Sequence, residues 1–159
     1  MTQHRIMTIE EMLAAAETLC IVAHSGVKRK DGTAYVEHPR RVAQAAALGF
    51  LPTSSLAYIV GLLHDVVEDS SITLEALREA GFSYEVINAV DALTRRKKQG
   101  ETYRETSMRV AANPLARVVK MADLKDNMAD QSALDDDEKK FFEKRYGRAL
   151  RYLETGKWD

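Results

Sequence analysis

A single cysteine, Cys20, excludes an intrachain disulfide and any thiolate-rich metal site, and its apolar helical setting suits a reducing compartment. No run approaches the roughly 18 consecutive apolar residues of a membrane span. The polar segment Met1 to Arg5 has no apolar region behind it to act as a signal peptide. Excess charge is missing too: a formal net charge of −1 and a pI near 6.4 argue against a broad nucleic-acid or membrane surface, while a local basic pocket for a small anion stays open. The expectation is a cytoplasmic, soluble protein whose partner is a small phosphorylated molecule, not a nucleic-acid polymer or a membrane. Strand signals are nearly absent, since only Ala34-Tyr35-Val36 has β character, and no repeat or domain-separating linker occurs. With 45% hydrophobic residues in a chain of 159, one domain with a true core is expected over residues 1–159, and two are not.

Helix signals run throughout. Thr8-Ile9-Glu10-Glu11 has the form of a capping box, followed by an apolar face of Met12, Leu13, Ala16, Leu19, Cys20 and Ala23 that ends near Gly26. Pro39 predicts the first residue of a second helix reaching about Gly49. A central apolar helix is expected from Thr53 or Ser54 to Glu68, then two short helices over 73–81 and 83–94, each opened by a hydroxyl cap. The charged loop Arg95-Arg96-Lys97-Lys98-Gln99-Gly100 reads as solvated or mobile, with phosphate contact as the alternative. Helices are expected beyond it from Thr102 to Ala112, Pro114 to Met128 and Asp136 to Glu154, with Asp135-Asp136-Asp137-Glu138 capping the last and complementing its dipole. The fold class is all-α.

Charge stands where a core helix should carry none. His64-Asp65 interrupts the apolar run from Tyr58 to Val67, and helical spacing places Glu68 one turn after His64 and Asp69 one turn after Asp65. Burying an unpaired carboxylate is costly, so a compensating cation is implied. His38 before the second helix, His64, Asp65, and Asp123 in Val119-Lys120-Met121-Ala122-Asp123 could ligate one divalent ion. Two imidazoles and two carboxylates suit Mn, Fe, Co or Ni, with zinc also open. His24 borders this set at most, and His4 belongs to the terminal segment. Lys28-Arg29-Lys30 lies in the loop that delivers His38, so these cations could hold phosphate, and the planar Arg29 guanidinium could stack on a base.

These residues resemble the HD-domain phosphohydrolases, and within them the hydrolase domain of RelA/SpoT proteins and its small stand-alone relatives. The likeness runs roughly from His24 to Asn127. The stretch from Arg29 to Pro39 is similar to the family's Arg-Lys-x-Gly-x-Pro-Tyr-Ile-x-His-Pro, with Ala34 in place of Pro. Leu62 to Ser70 is similar to Leu-Leu-His-Asp-Val-Val-Glu-Asp-Thr, and Val119 to Asp123 with Asn127 to Val-Lys-Leu-Ala-Asp and an Asn four residues on. The resemblance implies an all-α, single-domain HD-type bundle, a stand-alone Mn²⁺-dependent hydrolase, with His38, His64, Asp65 and Asp123 as ligands. It further implies that Glu68 and Asp69 are catalytic and that Arg29, Lys30 and Asn127 contact a nucleotide, with (p)ppGpp losing its 3′-pyrophosphate. Ala129-Asp130 replaces an Arg-Thr pair that borders the nucleotide in the family, which points toward a less charged substrate. Other readings are an HD phosphohydrolase acting on a different nucleotide or a nicotinamide dinucleotide phosphate, and a nucleotide sensor without turnover.

Overall fold

The structure is a computed structural model that describes residues 4–50, 52, 54–129 and 131–159. Side-chain caps start most of its helices. Thr8 accepts from the Glu11 N–H while the Glu11 carboxylate accepts from the Thr8 N–H at 2.7 Å, opening α1 (Ile9–His24) with two first-turn donors satisfied. Helix α2 (Glu37–Gly49) begins two residues earlier than expected. Pro39 still fits, because its missing N–H falls in the first turn, where no intrahelical acceptor exists.

The expected central helix is two helices, α3 (Ser54–Leu63) and α4 (Val66–Asp69), broken at His64-Asp65. His64 Nδ1 donates to the Gly61 carbonyl at 2.7 Å. That carbonyl is the acceptor the Asp65 N–H would use in a continuous helix, so the imidazole ends α3 from within. The start proposed at Thr53 lies outside the described residues.

Thr73, Ser83 and Thr102 cap α5 (Leu74–Ala80), α6 (Tyr84–Leu93) and α7 (Tyr103–Ala111). Next comes α8 (Pro114–Ala129). Asp135 and Glu138 form a reciprocal box at α9 (Asp136–Phe142), which passes through a π-helical turn, Glu143–Gly147, into α10 (Arg148–Thr155). The 95–100 loop holds one 3₁₀ turn, Lys97–Gln99. Lys28 and Ala34 form an isolated antiparallel bridge, closed by Gly32 at φ +86°, a backbone angle that only glycine adopts without strain.

Helix α3 is the axis of the fold, apolar nearly all round and packed on α1, α2, α6 and α8. Ile59, Val60, Leu62 and Leu63 are fully buried with Val42, Val90, Val119 and Leu124. At its crossing with α2, a Cβ on Gly61 would lie 2.5 Å from Ala43 Cα, so a glycine there sets the helix separation. This close approach draws the start of α2, which carries His38, toward the end of α3, which carries His64. Arg109 on α7 reaches across to the carbonyls of Asp91, Ala92 and Thr94 at the end of α6 and pairs with Glu101, tying the 95–101 loop to the bundle. No helix among the described residues is long and apolar enough to cross a membrane.

Candidate metal centre

His38, His64 and Asp65 bring three potential ligand atoms within 4.8 Å of one another. Asp123, from the middle of α8, completes the group: its Oδ1 lies 3.0 Å from His38 Nε2 and 3.4 Å from His64 Nε2. Asp65 Oδ2 lies 3.0 Å from His64 Nε2 and 3.9 Å from His38 Nε2. Ligands at right angles around an ion with bonds of roughly 2 Å stand about 3 Å apart, so the spacing suits one cation. Both imidazoles and Asp123 are buried. His64 Nε2 makes no hydrogen bond among the described residues, while its Nδ1 is committed to Gly61, which leaves Nε2 as the ring's free ligand atom. An N/O donor set with a buried nitrogen lacking a partner fits a divalent metal.

Charge is balanced tightly around these atoms. Burial opposes charge on His64, but Asp65 and then Asp123 more than offset it and hold the imidazole well above its ordinary pKa. Burial also opposes ionisation of Asp123, yet Lys120, bonded to its Oδ2 at 2.6 Å, and the two imidazoles hold that carboxyl well below the usual range. The half-buried Tyr35 donates its hydroxyl proton to Asp65 Oδ2 at 2.5 Å. A cation is electrostatically replaceable here by protons, and a metal would displace them on binding.

Sequence reasoning missed Asp126. It sits three residues after Asp123, on the same face of α8, and accepts from His38 Nδ1 at 2.6 Å, from Arg41 Nε and Nη2 at 2.8 and 3.1 Å, and from Arg29 Nη1 at 3.3 Å. His38 therefore turns Nε2 toward the cluster. The signal was the i, i+3 acid pair Asp123/Asp126, which helical spacing places on one face of α8.

Arg29 and Asn127 meet. Asn127 accepts from Arg29 Nη2 at 3.1 Å and donates to Asp123 Oδ1 at 3.0 Å, linking the basic loop to the cluster. Both residues line a cavity of about 710 Å³ with Tyr35, Ala129, Leu134 and Phe142, in the size range of a nucleotide site. Lys30 lines it too, but its ammonium pairs with Glu138 at 2.5 Å. Asp130 lies outside the described residues. Glu68 is half-buried and turned to the 95–98 loop, accepting from the Arg95 N–H at 2.9 Å with Lys97 Nζ at 3.3 Å. That loop is therefore fastened, not wholly solvated as expected. The Asp69 side chain reaches solvent, yet desolvation and then Asp65 and Glu68 push its pKa up to about 6. His24 is buried, its ring 4.9 Å from that of Tyr35, and burial pushes its pKa down.

An all-helical frame around a His-His-Asp-Asp cluster, buried but for the Asp65 edge, defines the HD class. The chain is 40% identical over 113 residues to a GTP pyrophosphokinase of Streptomyces coelicolor, covering 66% of this chain and 13% of that protein. It is 35% identical over 120 residues to a probable guanosine-3′,5′-bis(diphosphate) 3′-pyrophosphohydrolase of Synechocystis (70% and 15%), and 32% identical over 127 residues to the Vibrio cholerae protein of that name (74% and 18%). The chain thus spans less than a fifth of these relatives' length. The same fold occurs in a solved metazoan ortholog of SpoT that hydrolyses ppGpp, with a TM-score of 0.75 and 23% identity over 91% of this chain and 86% of that one. No family model matches. These likenesses place an HD-type, RelA/SpoT hydrolase-like domain in this chain.

Proposed function

We propose that this single domain, residues 1–159, is a cytoplasmic Mn²⁺-dependent hydrolase that removes the 3′-pyrophosphate of (p)ppGpp or a closely related nucleotide. Its partner is a small nucleotide, not a nucleic-acid polymer or a membrane. The observation that carries the reading is the join between the four-residue cluster and the 710 Å³ cavity, made by Asn127 bonded to both Asp123 and Arg29. His38, His64, Asp65 and Asp123 hold the ion. A divalent ion there supplies Lewis acidity, making water more acidic near neutral pH and neutralising charge on phosphoryl oxygens.

The chain's own groups do the rest. Arg29, anchored by Asn127 and Asp126, presents a planar face for a purine and N–H groups for phosphate. Asp69, one turn after Asp65 and open to solvent, is the carboxylate placed to accept a proton from the attacking water. Glu68 holds the Arg95 N–H and keeps the loop beside the site closed. Water adds across the 3′ phosphoester bond, yielding GDP or GTP and pyrophosphate.

A second reading, hydrolysis of a less charged nucleotide, is favoured by the pocket's partial neutralisation: Glu138 holds Lys30, and Asp126 holds Arg29 and Arg41. A panel of ppGpp, GTP, NADPH and simple 5′-nucleotides with Mn²⁺, followed by pyrophosphate and phosphate release, separates the two. Release of pyrophosphate from ppGpp is expected. Turnover of ordinary 5′-nucleotides with none of ppGpp overturns the substrate and leaves the chemistry.

A further inference from the structure

Cations without anionic partners gather in a second cavity. It measures about 330 Å³, lies between the 95–98 loop, α7 and the α9–α10 helix, and is lined by Arg95, Lys144, Arg145 and Arg148 over Tyr103 and Phe141, with Trp158 at its edge. Among the described residues no carboxylate lines it. Among the described residues none of these four side chains makes an ion pair or hydrogen bond, whereas Arg29, Arg40, Arg41, Arg96, Arg109 and Arg151 are each paired with an acid. The Arg145 guanidinium sits 4.3 Å from the Tyr103 ring centroid and 5.6 Å from that of Phe141, and the Arg95 guanidinium 5.4 Å from Tyr103. Ring faces offset part of the repulsion among the cations. They leave Nε of Arg95 and of Arg145, and the Tyr103 hydroxyl, buried without an acceptor or partner. Buried donors in that state are costly, and a ligand rich in acceptor oxygens relieves them.

We propose that this cavity is a second anion site, separate from the Arg29 cavity, that takes the di- or triphosphate group of a small molecule. Guanidinium forks match phosphate oxygens two at a time, and three arginines with a lysine supply more positive charge than a single carboxylate ligand balances. The volume stands near the lower end of the roughly 300–1,000 Å³ range of small-molecule sites, which suits a compact polyphosphate. The site touches the acid pair through one bond, the Arg95 N–H to Glu68.

Calorimetric titration of metal-free full-length protein with inorganic pyrophosphate tests the assignment. Binding to Arg145→Gln/Arg148→Gln should weaken by about tenfold or more, well beyond any loss in Arg29→Gln. Lys144→Gln/Arg148→Gln, on the more exposed flank, repeats the test should the first pair disturb folding, and thermal midpoints report on that. Unchanged pyrophosphate affinity in the folded double variants, or a loss confined to Arg29→Gln, overturns the proposal. Kinetics then separate the sources: a raised KM for nucleotide in the double variant assigns the site to the phosphate tail of the substrate. An unchanged KM with lost pyrophosphate binding assigns it to a separate phosphorylated ligand.

Discussion

Asp126→Asn keeps the shape of the side chain and removes its charge. The carboxylate accepts from His38, from two Arg41 nitrogens and from Arg29, and only 15% of it is exposed, so solvent screens these bonds little. An asparagine has one oxygen. Turned toward His38, it points an NH₂ at Arg41 Nε; turned toward Arg41, it points the NH₂ at His38 Nδ1. Either way a donor faces a donor, and His38 loses either its partner or the fixed geometry of that partner. Loss of such an outer carboxylate typically lowers metal affinity about 10- to 100-fold, equivalent to about 1.4–2.7 kcal/mol. With two cationic donors also left short of charge, the upper half of that range is expected. Competition for Mn²⁺ between the protein and a chelating fluorophore measures it, with urea unfolding of the metal-free variant as a control. An unchanged Mn²⁺ affinity in a folded Asp126→Asn variant would refute the view that this carboxylate holds His38 for an ion.

Gly61→Ala pushes a methyl group to 2.5 Å from Ala43 Cα and should destabilise the domain by about 1–3 kcal/mol in urea titration; an unshifted midpoint counts against the tight α2–α3 crossing. Asp69→Asn should preserve Mn²⁺ affinity while lowering kcat roughly 10²-fold, and full turnover in both it and Glu68→Gln would dismiss a role for the acid pair. Arg109 holds Glu101 down from 4.5 to about 2. Because the folded pKa is depressed, this stabilisation is complete above the ordinary carboxylate range and disappears as pH falls from 4.5 toward 2. Across that window Glu101→Gln should show a stability curve flatter than wild type by about 2 kcal/mol, and parallel curves would contradict the pair.

Helix starts were legible because capping is local: Thr8 with Glu11, Thr102 with Glu105, and Asp135 with Glu138 each lie within one turn. The four clustered residues were legible for another reason, since an ionisable group in an apolar run demands a partner wherever the chain finds one. The break at His64-Asp65 was not, because apolar periodicity continues through it and only the imidazole's bond to Gly61 ends the helix. Asp126 escaped notice as one more acid on a charged helix surface, and its importance depends on Arg41 and His38 arriving from α2. The unpaired cations of the second cavity come from segments some fifty residues apart, a distance no spacing rule bridges.

Gly61 answers to two neighbours at once: its missing side chain admits Ala43, and its carbonyl takes the His64 Nδ1 proton. Any opening that parts α2 from α3 also draws His38 away from His64 and Asp65, so the cluster comes apart when the core opens. On the proposed ligand set, ion binding and cooperative unfolding then draw on the same free energy. An ion at a hundred times its dissociation constant adds about 2.7 kcal/mol to the unfolding free energy. The supply of free metal would then govern how long each folded molecule survives as well as how fast it turns over, making trace-metal starvation a route to clearing the protein.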